Sequence, residues 1–392
     1  MNRIIKYASL LMAAVMLISC GGTVDNGGGS TGAKTLKLVA DKNLIQTFGG
    51  DYATLTVTLD GEVVTEGVTF FDGKNNVLTI SDFKFSTDKV GEYKIWANVG
   101  TYNSETITIK AIDIEIPDTP ADPKPESTDF KARVLLTEFT TVGCSACPAM
   151  KTILHAVEED AEVAAKVIMT ECHSGLINSI ADPCYIHNQA FEDFCAITGY
   201  PTVKLDLDKT PADRNAMKTA ITEIHATKAD KAPGIAVNAK LQDDKVVAKI
   251  TVKAKVAGSY RVGAFLVEDG IYAVQTSATA DWMHNHDNVI RYIDAQYKNS
   301  FYGIPVADIK AGETADTMIS WILEDIWAYG TERGEINGGI AWPARNNDKL
   351  HMVVFVSVSD GFGGYQVVNA IDCPINGVNY TCHSALSAAN SF

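Results

Sequence analysis

Val134-Leu135-Leu136-Thr137-Glu138-Phe139, followed after a short loop by Cys144-Ser145-Ala146-Cys147-Pro148, is the stretch whose reading decides the fold. The first part is apolar throughout, as a buried strand is. From Pro148 onward, Met150, Ile153, Leu154, Val157 and Ala161 recur at helical spacing. A strand, two cysteines three apart and a helix form the setting in which a CxxC pair carries out disulfide exchange. The helix N-terminus offers unpaired N–H groups and a positive dipole end to the first sulfur, which favours the Cys144 thiolate. Cys147, expected one turn further in, is then placed to resolve a mixed disulfide.

A second stretch, Ile197-Thr198-Gly199-Tyr200-Pro201-Thr202-Val203, supports that reading. The two segments together resemble the thioredoxin superfamily, in which a cis-proline loop packs beside the CxxC. The resemblance implies a cis peptide bond before Pro201, with Tyr200 and Thr202 flanking the substrate-binding edge. Cis X–Pro bonds are a small minority in folded proteins, so the expectation is specific. It also implies that Glu138, six residues before Cys144, is the buried acid that helps deprotonate the resolving cysteine. Gly143 departs from the superfamily pattern, which usually has tryptophan there, so part of the usual substrate platform is missing.

The first residues address the chain. Arg3 and Lys6 precede an apolar run from Leu10 to Ile18, and Leu17-Ile18-Ser19-Cys20 matches a lipobox. Residues 1–19 are expected to be removed as a lipoprotein signal peptide, leaving lipidated Cys20 and a flexible tether over 20–34. The alternative is an ordinary signal peptide with a chance cysteine. Losing Arg3 and Lys6 takes the formal charge from −15 to −17. So acidic a chain has no electrostatic reason to bind nucleic acid. The expected partners are the membrane, through the lipid anchor, and exported proteins or peptides with thiols or disulfides. Outside the cytoplasm, the remaining cysteines are expected to form structural disulfides.

Short strand patterns with Gly49-Gly50, Asp60-Gly61 and Asp72-Gly73 turns fill residues 35–112. They predict a β-sandwich. Gly91-Glu92-Tyr93-Lys94-Ile95-Trp96 looks like the closing strand of an immunoglobulin-like module, whose tyrosine anchors a corner. Pro117, Pro120, Pro123 and Pro125 mark a solvated linker over 113–129. Strands alternate with helices over 130–228, and strands return over 229–392. The expected fold class is therefore multidomain α/β plus all-β. A thioredoxin-like α/β domain is flanked by an N-terminal immunoglobulin-like β-sandwich and a C-terminal β-sandwich. The order of lipobox, Gly-Cys-x-x-Cys-Pro segment and a C-terminal β-domain with His284-Asn285-His286 resembles the outer-membrane-protein-28-related lipoproteins of Bacteroidetes. That resemblance covers roughly 130–392 and implies an outer-membrane, lipid-anchored location.

Cys172-His173 with Cys184 and His187 has zinc-type donors, but a disulfide is the expectation in an exported chain. If 184–195 is one helix, its ends lie about 16 Å apart, too far for a bond between Cys184 and Cys195. Cys172–Cys184 is then the preferred pair, with Cys373 and Cys382 as a second, C-terminal clamp. His284-Asn285-His286-Asp287 invites a metal or nuclease reading, yet the acidic β-context favours a loop hydrogen bond, with Trp282 packing nearby. Asp206 and Asp208 are a weak calcium hint, explained more simply as solvent-facing strand residues. No Gly-rich phosphate loop, His-Glu-x-x-His helix or Gly-x-Ser-x-Gly elbow occurs, so neither cofactor nor metal is expected. Two functions remain. One is thiol–disulfide exchange, with Cys144 attacking, Cys147 resolving, Glu138 relaying the proton and Pro201 shaping the docking edge. The other is a non-catalytic binding or adhesion lipoprotein in which Cys144–Cys147 is a structural disulfide.

Overall fold

The computed structural model describes residues 34–47, 51–122, 124–173, 176–178, 180–186, 188–295, 300–338 and 342–381. The expected leader, Cys20, His187 and Cys382 lie outside them. The chain forms two compact units, Met1–Glu115 and Ile116–Phe392.

In the first unit, alternation sets the faces. Along Ala53–Leu59, buried Ala53, Leu55 and Val57 alternate with half-exposed threonines, as a strand with one wet face requires. Strands Gly91–Val99 and Ile107–Ile112, in a second sheet, contribute Ile95, Ala97, Ile109 and Ala111 to the same core. Two sheets thus enclose one apolar layer. Tyr93 Oη donates to the Lys89 carbonyl at 2.8 Å, an anchored tyrosine of the kind that the strand sequence suggests.

The second unit is built on one eight-stranded sheet. Seven of its strands are β1 (Val134–Thr140), β2 (Val167–His173), β3 (Thr202–Leu205), β4 (Gly258–Glu268), β5 (Val289–Asp294), β6 (Leu350–Ser359) and β7 (Tyr365–Pro374). They lie in the order β3-β1-β2-β5-β4-β6-β7, and Ile304–Ile309 also pairs with β4. β1 runs parallel to β2 and antiparallel to β3. β2 meets β5 in parallel at Glu171 and Val289, where Glu171 N–H donates to the Asn288 carbonyl at 2.8 Å. The division expected at residue 229 therefore falls inside a single sheet. An open β2 edge would leave unpaired backbone groups, and β5 supplies their partner.

Sequence parity decides what covers each face. Val134 and Leu136 of β1, with Val203 and Leu205 of β3, pack against two helices, α1 (Cys147–Glu158) and α4 (Met217–Ala226). Two shorter helices, α2 (Ala161–Ala164) and α3 (Gln189–Phe194), lie between them in sequence. The opposite parity, Leu135 and Phe139, joins Phe191, Phe265, Phe301 and Phe355 in an aromatic core. Over β4 and β6, a four-stranded sheet replaces the helices. It is formed by Gly234–Gln242, Lys245–Lys253, Thr314–Ile322 and Val378–Tyr380. Val237 and Ile250 of that sheet pack on Val262, Leu266, Val354 and Val356. Each such aliphatic side chain, fully buried, contributes about 1.5–3 kcal/mol. The Pro-rich segment is not fully solvated: Pro117 and Pro120 are buried, and Lys253 Nζ donates to Asp122 at 2.8 Å. No helix among the described residues is long and apolar enough to cross a membrane.

Candidate functional site

Cys144 and Cys147 form a disulfide, with their Cα atoms 5.4 Å apart. Cys147 is the first residue of α1 rather than lying a turn inside it, and Pro148 occupies the first turn, where no helical N–H is lost. Ser145 and Ala146 are exposed, but Cys144 is only 3% exposed and Cys147 2%. Two distant segments hold the turn that carries the pair. Gln275 Nε2 donates to the carbonyls of Cys144 at 3.0 Å and Val142 at 3.2 Å. Thr276 N–H donates to the Val142 carbonyl at 2.8 Å. On the other side, Asn178 Nδ2 donates to the Gly143 carbonyl at 3.3 Å. A Cβ on Gly143 would meet the Ile177 carbonyl oxygen at 2.3 Å. No side chain fits there, which accounts for glycine at a position where the thioredoxin pattern has tryptophan.

The Tyr200–Pro201 peptide is cis. Thr202 lies opposite Phe139 in the β1–β3 ladder, so the proline loop sits at the end of the sheet from which the chain leaves toward Cys144. Thr202 Oγ1 donates to the Gly199 carbonyl at 2.7 Å. Tyr200 packs on the aromatic core and its hydroxyl donates to the Glu192 carboxylate, so its ring is a packing element as well as a loop residue.

Glu138, Glu171 and His173 share the α1 side of the sheet. Glu138 is opposite Glu171 and Thr140 is opposite His173 in the parallel register, and residues two apart on a strand face the same way. His173 Nδ1 pairs with Asp182 Oδ2 at 2.8 Å, and its Nε2 lies 3.2 Å from Glu171 Oε2. The same Glu171 oxygen is 3.2 Å from His286 Nδ1. Lys151, on α1, reaches Glu171 at 3.7 Å and donates to the Asn285 carbonyl at 2.7 Å. Asp182 also accepts the N–H groups of Val142 at 2.9 Å and Cys184 at 2.8 Å, tying this cluster to the CxxC loop. A cleft of about 250 Å³, lined by Lys151, His155, Glu171, Trp282 and Asp287, opens beside it.

Burial and pairing set the charges. Burial, then the Glu171 charge, pushes the Glu138 carboxyl up to about 8, so it holds a proton at neutral pH. Its Oε1 has no hydrogen-bond partner among the described residues. Burial opposes ionisation of Glu171, but Lys151 and the two imidazoles outweigh it and hold the carboxyl well below its usual range. Burial likewise disfavours a charged His173, yet Asp182 and then Glu171 raise it to about 9. Asp182 is held at about 2, the His173 cation overcoming burial. Burial keeps His286 below its ordinary value and drives the Cys184 thiol well above its own. The cluster thus sets Glu171 and Asp182 against His173 and Lys151, beside a Glu138 carboxyl whose ionisation burial opposes.

The other expected residues fall elsewhere. Cys172 and Cys184 do not form a disulfide with each other: both are buried thiols. Strand parity is the cause, because Cys172 faces the aromatic core while Cys184 packs with Ile271 and Val289. Residues 184–195 are not one helix, since α3 begins only at Gln189. Cys195 joins the aromatic core, and Cys373 sits in the core between the two sheets, its Sγ donating to the Gly377 carbonyl at 3.5 Å. The expected Cys373–Cys382 clamp lies partly outside the described residues, as does lipidation at Cys20. Asp206 is buried rather than solvent-facing and accepts from Lys228 Nζ at 2.6 Å. The His284–His286 segment divides: His284 Nδ1 accepts the Gln275 N–H at 3.1 Å, while His286 enters the polar cluster. Trp282 stacks on His155, 4.4 Å between centroids. Lys151, Glu171 and Gln275 are not among the residues expected from the sequence. The alternation of Glu171 and His173 in an otherwise mixed strand is the signal that points to Glu171.

Residues 188–317 match the family model described as outer membrane protein Omp28, a span that includes Gln275, His284 and His286. The match supports an Omp28-related family for this part of the chain. Among solved structures, the chain is similar to HBP35 of Porphyromonas gingivalis at 14% identity and a TM-score of 0.46, over 68% of this chain and 80% of that one. It is also similar to a protein from Agrobacterium tumefaciens at 11% identity and a TM-score of 0.39, over 63% and 95%. No curated protein matches the chain by sequence.

Proposed function

We propose that residues 130–228 are a thioredoxin-like module in a lipid-anchored outer-membrane protein that exchanges disulfides with exported proteins or peptides. The Omp28 match supports the outer-membrane location, and the lipobox supports the anchor. The observation that carries the reading is a CxxC disulfide at the start of α1, on the sheet face where Glu138 is buried.

In the oxidising direction, a substrate thiolate attacks Cys144 Sγ. The sulfur–sulfur bond breaks and its electron pair leaves on Cys147, which takes the proton of Glu138. A second substrate thiolate then attacks the substrate sulfur of the mixed disulfide and expels Cys144 as a thiolate, the form that a helix N-terminus favours. The substrate loses two electrons and the Cys pair gains them. Reduction of a substrate runs the same steps backwards. Both cysteines are buried, so the turn must open before a peptide can reach Cys144, and Gln275 and Thr276 are what fasten it. Gln275→Ala should therefore speed reduction of the pair by dithiothreitol, and Cys144→Ser should abolish turnover of a dithiol peptide. Absence of turnover in both the wild type and Gln275→Ala would refute exchange.

The burial of Cys144 favours a second reading, a structural disulfide in a binding lipoprotein. The two differ in the reduction potential of the pair.

A further inference from the structure

His173, Cys184 and His286 come from β2, the loop after it and the segment before β5, yet each is at most 1% exposed. One ligand atom from each lies within 4.8 Å of the other two. We infer that these three side chains form a binding site for a single divalent transition-metal ion of zinc type, separate from the Cys144–Cys147 disulfide. Two imidazoles and a thiolate are the donor set that zinc accepts, and three protein ligands leave a fourth position for water.

The surroundings are those of metal ligands. Asp182 accepts from His173 Nδ1–H, which fixes the ring and leaves Nε2 as the ligand atom. His286 Nδ1 lies 3.2 Å from both Glu171 Oε2 and Lys151 Nζ, and the tautomer that donates to Glu171 leaves Nε2 free to ligate. Carboxylates placed behind ligating histidines are the usual second layer of zinc sites. His286 Nε2 is buried and has no hydrogen-bond partner among the described residues. A buried polar nitrogen left unpaired is costly, and ligation would remove that cost. Cys184 is a free thiol. The ion would replace one contact, His173 Nε2 with Glu171, and displace protons from His173 and Cys184. Two carboxylates, Asp182 and Glu171, lie 2.8 and 3.2 Å from the His173 ring nitrogens, so positive charge is stabilised there.

The backbone around the ligands is clamped. Arg291 Nη1 donates to the Pro183 carbonyl at 2.9 Å and Trp342 Nε1 donates to the Tyr185 carbonyl at 2.8 Å, holding Cys184 from both sides. Such a site would fasten the loop after β2 to the segment before β5, the junction on which the single sheet depends.

The test uses the oxidised full chain, stripped with a chelator and titrated with Zn²⁺ and with Co²⁺ as a spectroscopic probe. One ion per chain is expected, with a thiolate-to-cobalt charge-transfer band. Cys184→Ser should lose that band, while Cys373→Ser, a buried thiol outside the cluster, should keep it. Asp182→Asn should weaken Zn²⁺ binding about 10–100-fold, the range for a group behind a ligand. Circular dichroism of each metal-free variant shows whether it is folded. If Cys184→Ser does not fold, His286→Gln with the same titration decides. No stoichiometric binding, or a band that survives Cys184→Ser or a His286→Gln variant with undiminished affinity, would overturn the site.

Discussion

Two histidine–carboxylate clusters sit in the same large sheet, and they are built differently. At the start of β6, His351 gives Nδ1 to Asp372 and Nε2 to Asp269, so both nitrogens are engaged. Burial opposes its charge, but the two carboxylates raise it to about 9. Near the ends of β1 and β2, His173 is equally well held, yet Glu138 and His286 each keep a buried atom without a hydrogen-bond partner among the described residues. The His351 cluster closes on itself and is complete as a clamp between strands. The β1–β2 cluster is left incomplete beside a CxxC disulfide and a cleft. Unmet polar atoms are costly in a core, so they persist where something else uses them.

The largest expected effect breaks that contrast at its ion pairs. Asp182→Ala leaves the His173 cation buried and strips two backbone N–H groups of their acceptor. Removing one partner of a buried pair costs about 3–5 kcal/mol, so denaturant unfolding should show a loss of that size. Asp372→Ala, whose carboxylate is 41% exposed, should cost about 1 kcal/mol or less. Equal losses would erase the distinction between the two clusters.

A smaller effect tests how tightly the CxxC turn is covered. Gly143→Ala places a Cβ against the Ile177 carbonyl and should destabilise by about 1–3 kcal/mol, as overpacking does. The same measurement returning no loss would mean that the 176–178 segment does not seat on the turn.

The smallest effect is in pH. His351 titrates near 9 when folded, above its ordinary value of about 6.5. Its contribution is therefore complete below about pH 6.5 and disappears as pH rises through about 9. Both partners are more than a third exposed, so solvent screening reduces the contribution to about 1–2 kcal/mol. Wild-type stability should fall by that amount between about pH 6.5 and 10 relative to His351→Gln. Parallel pH profiles would show that the clamp contributes nothing.

Much of the CxxC neighbourhood is legible in the sequence because it is local. An apolar strand, a Cys pair and a helical repeat follow one another without interruption, and Glu138 stands within the same strand. What surrounds them is not local. Gly143 reads as a departure, but its cause, the Ile177 carbonyl, arrives from a later loop. Cys172 and Cys184 look like a disulfide until the register of β2 turns Cys172 into the aromatic core and leaves His173 on the other face. The parallel join of β2 to β5 depends on a tertiary choice between strands far apart in the chain, and no turn signal records it. Gln275 is unreadable for the same reason: its role exists only once the segment before β5 folds over the cysteines.

The most direct test of exchange at Cys144–Cys147 is the reduction potential of that pair in the full chain, by equilibrium redox titration with Cys144→Ser as the control. A cycling pair should lie between about −270 and −120 mV, where thioredoxin-like donors and acceptors operate. Each 30 mV is about 1.4 kcal/mol for this two-electron couple, so the range is well separated from that of structural bonds. A single transition in that window, absent from Cys144→Ser, is the predicted result. A transition below about −300 mV would contradict exchange and leave the pair as a structural disulfide.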